Sequence, residues 1–231
     1  MGLKENFSKG NVLRDLILVT LVIGFVFSST ISINAAGYDA KDTFSQSSPF
    51  ILANFDSRKP MNSLSGQTGV FDGDPDDSEA SCRMGYAKDN ELNKDGYHMK
   101  LSYDVDSSKP AFNGFWTKLN GADLSKFEAF SISIKGDPAK GFSDIFKIEM
   151  KDKSRKIEAV VEGVSDKWSQ IIIPFADFDG EVDSVDWKNM TELVLVFEDW
   201  RLKTKEGRYY IDDISFVTKK GEKVKYSDLL K

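Results

Sequence analysis

Apolar residues in this chain alternate; nowhere do they recur at a sustained helical spacing. Tyr97, Met99, Leu101, Tyr103 and Val105 alternate with His98, Lys100, Ser102 and Asp104. Phe130, Ile132 and Ile134 alternate with Ser131, Ser133 and Lys135, and Phe146, Ile148 and Met150 with Lys147 and Glu149. A period of two places successive side chains on opposite faces of a strand, one packed and one wet. Two runs, Ile171 to Ile173 and Leu193 to Phe197, are apolar at every position and read as central strands covered on both sides. Asn120-Gly121, Gly136-Asp137-Pro138, Asp152-Lys153, Asp179-Gly180 and Glu206-Gly207 punctuate the runs as turns. Short helical pieces are expected only near Leu124 to Phe127 and Val185 to Met190. Many short strands with regular turns predict an all-β fold, an antiparallel two-sheet sandwich or jelly roll.

Residues 1–35 read as an export signal. Lys4, Lys9 and Arg14 precede an uncharged stretch from Leu16 to Phe27, and Ala35 offers a small residue for cleavage. A bilayer-spanning helix needs roughly 20 apolar residues, so the stretch is short for an anchor. The expected location is secreted or periplasmic, with no membrane attachment once the signal is removed. Residues 36–50 read as a polar linker, 51–218 as one domain and 219–231 as a polar tail finishing on the surface.

Counts of particular residues limit the chemistry. One cysteine, Cys82, leaves no internal disulfide and no cysteine-based zinc site. One histidine, His98, leaves no paired-histidine zinc motif, and any Ser-His-Asp machinery has to use it. The net charge of -6, with basic residues interspersed among acids, speaks against nucleic acid. The acidic loop Asp72 to Glu79 begins with the rhythm of a calcium-binding loop. It then has Asp77 where glycine is needed and Arg83 where glutamate is needed, so it reads as a solvated loop.

The order of motifs permits a comparison. Ile51-Leu52-Ala53-Asn54-Phe55-Asp56 opens the domain, with Asn62 following. Gly114-Phe115, Asp123-Leu124-Ser125 and Phe130 to Asp137 come next, then Trp168, Ile173-Pro174-Phe175 and Phe178. Tyr210-Ile211-Asp212-Asp213-Ile214-Ser215-Phe216 closes it. This set resembles the galactose-binding-like jelly rolls, especially family-11 carbohydrate-binding modules and the complex I intermediate-associated protein 30 family. The resemblance implies a β-sandwich that holds a polysaccharide or oligosaccharide on the concave face of one sheet, without catalysis. It also implies a structural Ca2+ at a sandwich edge, for which Asp213, Asp212 and Asp56 are the candidate ligands. A bulge in which one aspartate bonds backbone amides is the alternative for the Asp212-Asp213 pair.

Sugar platforms need exposed aromatic rings with polar groups beside them. Alternation with core-facing Phe115 leaves Trp116 exposed. Trp200 stands beside Arg201 at a strand end, and Tyr86 has Arg83 nearby. His98 lines the concave sheet or lies on the open surface. The carbohydrate-binding candidates are therefore Trp116, Trp200, Tyr86, Arg201 and His98, whereas the resemblance implies that Trp168 and Trp187 pack in the core. Cys82 is expected to be a buried or unreactive thiol. Two other functions remain open: an envelope assembly module with a protein partner, and a glycoside hydrolase built on two facing carboxylates.

Overall fold

A computed structural model describes residues 32–34, 49–92 and 95–229. Most of the expected leader and linker therefore lies outside the described residues. The strands are β1 (Ser32–Asn34), β2 (Pro49–Ala53), β3 (Thr68–Asp72), β4 (Ser81–Lys88), β5 (Tyr97–Asp104) and β6 (Phe112–Ala122). They continue with β7 (Phe127–Gly136), β8 (Ile145–Lys151), β9 (Lys156–Glu162), β10 (Ser169–Pro174), β11 (Met190–Glu198) and β12 (Glu206–Thr218). The first sheet runs β1-β9-β8-β11-β6-β3 and the second β10-β7-β12-β5-β4, with β2 also paired to β12. Pairing is antiparallel throughout except β1 on β9, which is parallel. Among the described residues no helix is long and apolar enough to cross a membrane.

The alternating strands behave as the period of two dictates. Phe115, Phe146, Ile148, Leu195 and Phe197 of the first sheet meet Leu101, Tyr103, Phe130, Ile132, Tyr209 and Ile211 of the second in one buried core. Tyr103 stacks on Phe197 with ring centroids 4.5 Å apart. Its buried hydroxyl is satisfied, donating to the Thr204 carbonyl at 3.0 Å and accepting from the Ser143 amide at 2.7 Å. Asn62 ties the loop before β3 to β6. Its amide donates to Thr117 Oγ1 and the Lys118 carbonyl, both at 2.7 Å, and its oxygen accepts the Leu64 and Gly66 amides at 2.9 Å.

Several expectations need correction. Ile171 to Ile173 lies in β10, an edge strand, with Ile172 half-buried. Among the described residues helical geometry falls on three 3-10 turns, Phe175–Asp177, Val182–Ser184 and Tyr226–Asp228, and Leu124 to Phe127 is a plain turn. The C-terminal tail does not simply finish on the surface, because Leu229 is 2% exposed and belongs to the core cluster. Cys82, by contrast, is buried as expected, and burial pushes its thiol far above the ordinary range. The acidic loop is exposed over most of its length, as expected, with Asp77 alone buried; Asp77 accepts Ser107 Oγ at 2.7 Å and Glu79 accepts the Ser108 amide at 2.8 Å.

Candidate functional site

The outer face of the first sheet carries a groove of about 490 Å³. Strand register builds it in rows. Gly69, Trp116, Val194, Glu149 and Glu158 stand side by side across β3, β6, β11, β8 and β9. Phe71, Gly114, Val196, Lys147 and Val160 form the next row. Aromatic rings thus make one wall, the valines of β11 the floor, and charged side chains the other wall.

The aromatic wall contains Phe71, Phe112, Trp116 and Trp200. Phe112 is 41% exposed and Trp200 62%. Phe112 lies 6.3 Å from Phe71 and 6.4 Å from Trp200 between ring centroids, so the three form a continuous row. Trp116 is half-buried, donates its indole N–H to the Val70 carbonyl at 3.2 Å and has the Lys118 ammonium 5.2 Å from its ring centre. The ring lies against Gly69, where a Cβ would come within 2.7 Å of the indole. Gly73 gives the same clearance to Phe112, at 2.5 Å.

The charged wall is internally neutralised. The Lys147 ammonium lies 2.6 Å from Glu198, 3.1 Å from Glu149 and 3.6 Å from Glu158. Glu149 and Glu158 face each other in register, an unfavourable pairing of like charges, and Lys156 bonds both, at 2.8 and 3.1 Å. Lys151 reaches Glu149 and Glu192, Lys118 also pairs with Glu192, and Arg201 Nε holds Glu198 at 2.7 Å. Burial alone would lower the Lys147 pKa, but hydrogen bonds to Glu198 and Glu149 outweigh it and hold the group above its usual value. Burial likewise opposes ionisation of Glu149, yet Lys156 and Lys147 hold its carboxyl below the usual range. A general acid for glycoside hydrolysis needs the opposite shift.

The structure therefore brings Trp116, Trp200 and Arg201 to one face and separates the other two candidates from them. Tyr86 points inward from β4, packs against the core, and buries its hydroxyl without a hydrogen-bond partner. The alternation that sends Arg83 outward sends Tyr86 inward. His98 is on β5 of the second sheet, and it is buried, not an open-surface residue. It packs edge-on against Tyr210 at 4.9 Å and Trp168 at 5.5 Å. Trp168 is thus on the outer side of the second sheet with His98 and Lys135, not in the core, whereas Trp187 stacks on core Phe175 at 4.3 Å as expected. Phe112 and Phe71 were missed by sequence reasoning, although the alternation that selects Trp116 also selects Phe112.

The Asp212-Asp213 pair sits in a bulge of β12. Asp213 has φ 45°, in the left-handed region that aspartate tolerates better than most residues, and its amide donates to Asp212 Oδ1 at 2.8 Å. Burial, with the charges of Asp213, Asp56 and Asp89, pushes the Asp212 carboxyl up to about 7. Asp213 is raised by burial and by the same two neighbours, Asp56 and Asp89. An all-oxygen set of mutually repelling carboxylates suits a hard divalent cation such as Ca2+. Among the described residues no three such side chains are placed to hold a metal ion as they stand, so an ion there would have to draw them in.

The carbohydrate binding domain 30 family model matches residues 65–218. No curated protein matches the chain significantly. Among solved structures, the chain is similar to the family 11 carbohydrate-binding module of the cellulosomal cellulase Lic26A-Cel5E of Clostridium thermocellum. The two share 17% identity with a TM-score of 0.56, covering 74% of this chain and 95% of that one. It is also similar to the family 30 module of the cellulosomal cellulase Cel9D-Cel44B of the same organism, at 16% identity and TM-score 0.52, covering 74% and 99%. A third similar structure is a Clostridium thermocellum family 11 module in complex with a β-1,3-1,4-mixed-linked tetrasaccharide, at 18% identity and TM-score 0.51, covering 65% and 88%. At these identities the structural likeness establishes the β-sandwich fold.

Proposed function

This chain belongs to the carbohydrate binding domain 30 family, and from that premise we propose that it is an exported, non-catalytic protein that holds a polysaccharide or oligosaccharide in the groove on the first sheet. The observation that carries the reading is the row Phe71, Phe112 and Trp200, with Trp116 beside it, facing hydrogen-bonding charges across an apolar floor. Pyranose C–H faces pack on aromatic rings, and hydroxyls exchange hydrogen bonds with carboxylates and ammonium groups. Here the rings would stack the sugar, and Lys147, Glu149, Glu192 and Glu198 would orient its hydroxyls.

Binding without hydrolysis is supported by the Glu149 carboxyl, whose partners favour its ionised form. Ca2+ held by Asp212, Asp213 and Asp56 would stabilise the β12 bulge and take no part in sugar recognition. The N-terminal apolar run supports export to the periplasm or the outside.

Affinity gel electrophoresis tests the reading. β-Glucans, xylans, mannans, pectins and exopolysaccharides are run against the protein with Trp116→Ala and Trp200→Ala alongside. Retardation by one glycan class that either substitution abolishes supports it. Migration unaffected by every glycan overturns it and favours an envelope protein partner.

A further inference from the structure

The second sheet carries a pocket of its own, about 520 Å³, on the face turned away from the groove. Arg83, Ser102 and Arg208 stand in one cross-strand row over β4, β5 and β12, and Gly85, Lys100 and Tyr210 in the next. Ser81, Asp104 and Glu206 make a third row, and Lys140 enters from the connection between β7 and β8. Four cations therefore line one pocket in a chain whose net charge is -6.

These cations differ from those of the groove. Every lysine lining the groove has a carboxylate partner. In the second pocket Lys100 and Lys140 have no ion pair among the described residues, and Arg83 makes no close ion pair, with Asp72 acting on it only through its field. Arg208 alone is held, donating to Ser102 Oγ at 3.0 Å and to Asp137 at 3.3 Å, which fixes its guanidinium in place. Like charges gathered on one sheet face oppose folding, and an anionic ligand would relieve them.

We propose that this pocket is a second binding site, for a glycan bearing carboxylates such as a uronic-acid chain. Guanidinium groups recognise carboxylates in a planar, two-bond geometry, which assigns the acid group to Arg83, with Arg208, Lys100 and Lys140 around it. Asp104, Glu206 and Ser102 supply acceptors for neighbouring sugar hydroxyls. A polyphosphate carries the charge but has no sugar hydroxyls to give those acceptors. Gly85 opens the floor: a Cβ there meets only Lys100 Cε, at an ordinary 3.6 Å, so a larger side chain would occupy ligand space without a backbone clash.

The test titrates the full chain with oligogalacturonate, its methyl ester and dextran sulfate, by calorimetry at low and high salt. The expected result is binding of oligogalacturonate that weakens at least tenfold on methylation, in high salt, in the doubly substituted Arg83→Gln/Lys140→Gln protein and in Gly85→Leu. Melting temperatures of both variants should stay near that of the parent. Equal affinity for the methyl ester, or unchanged affinity in both variants, overturns the proposal. Binding of dextran sulfate without oligogalacturonate overturns the carboxylate assignment in favour of sulfate. The groove is a separate site, so retardation by a neutral glycan in the Arg83→Gln/Lys140→Gln protein reports on it independently.

Discussion

Lys147 on β8 donates to Glu198 on β11 at 2.6 Å, with both side chains under a tenth exposed. The pair stands in the charged wall of the groove and holds two strands of its sheet together. Lys147→Ala leaves Glu198 and Glu149 without this counter-ion, and breaking a buried pair typically costs about 3–5 kcal/mol. Urea unfolding should show that loss near neutral pH. The difference between parent and variant should also shrink at both pH extremes. Glu149 has a lowered folded pKa, so its contribution is present above the unfolded value of about 4.3 and is lost as pH falls through the folded one. Lys147 has a raised folded pKa, so its contribution is present below about 10.4 and is lost as pH rises through the folded one.

Trp200 and Trp116 should separate binding from stability. Trp200 is largely exposed, so Trp200→Ala is expected to lower glycan affinity about tenfold with little change in melting temperature. Trp116 is half-buried and bonded to Val70, so Trp116→Ala should lose affinity and also destabilise by about 1–3 kcal/mol. Paired binding isotherms and thermal melts check both.

Gly69→Ala tests the platform without removing a ring. Its new Cβ would come within 2.7 Å of the Trp116 indole and displace it. Affinity should fall several-fold while tryptophan fluorescence shifts, and unchanged binding would mean that the ring's position does not matter.

Asn62→Ala should be among the most damaging changes outside the sheets. It removes two hydrogen bonds that tie the loop before β3 to β6 and two that close the loop on itself. Each stranded backbone or hydroxyl partner costs about 1–3 kcal/mol. Chemical denaturation should register a loss of at least about 3 kcal/mol in total.

Adding Ca2+ to metal-free protein should raise the melting temperature, and EDTA should reverse the gain. Asp213→Ala should abolish the response. A melting curve indifferent to Ca2+ and EDTA in metal-free protein would remove the cation from the account.

The two-layer sandwich was legible because alternation is local. Tyr97 to Asp104 and Phe130 to Lys135 announce which side faces the core without reference to any other strand. What a side chain meets on the outer face depends on neighbouring strands. Lys147 and Glu149 alternate with Phe146 and Ile148 and so read as wet, yet they are only 6% and 7% exposed because β11 and β9 bring countercharges over them. Ile171 to Ile173 misleads in the opposite sense, since a run of three isoleucines looks central and lies at an edge. Tyr86 fails as a platform for a local reason that was available: counting from Arg83 puts it on the inner side. His98 could not be placed from its own strand, because Trp168 and Tyr210 arrive to cover it from β10's leading edge and β12.

The valines of β11 connect the groove to the interior. Val194 and Val196 form its floor, while Leu193, Leu195 and Phe197 of the same strand are fully buried in the core. The floor cannot shift without repacking the centre of the sandwich. A glycan reaching it meets a surface already assembled, so little ordering entropy is spent on the protein side. The lifetime of such a complex is then governed by how many sugar units lie along the rings at once, and affinity should climb with oligosaccharide length until the row is filled.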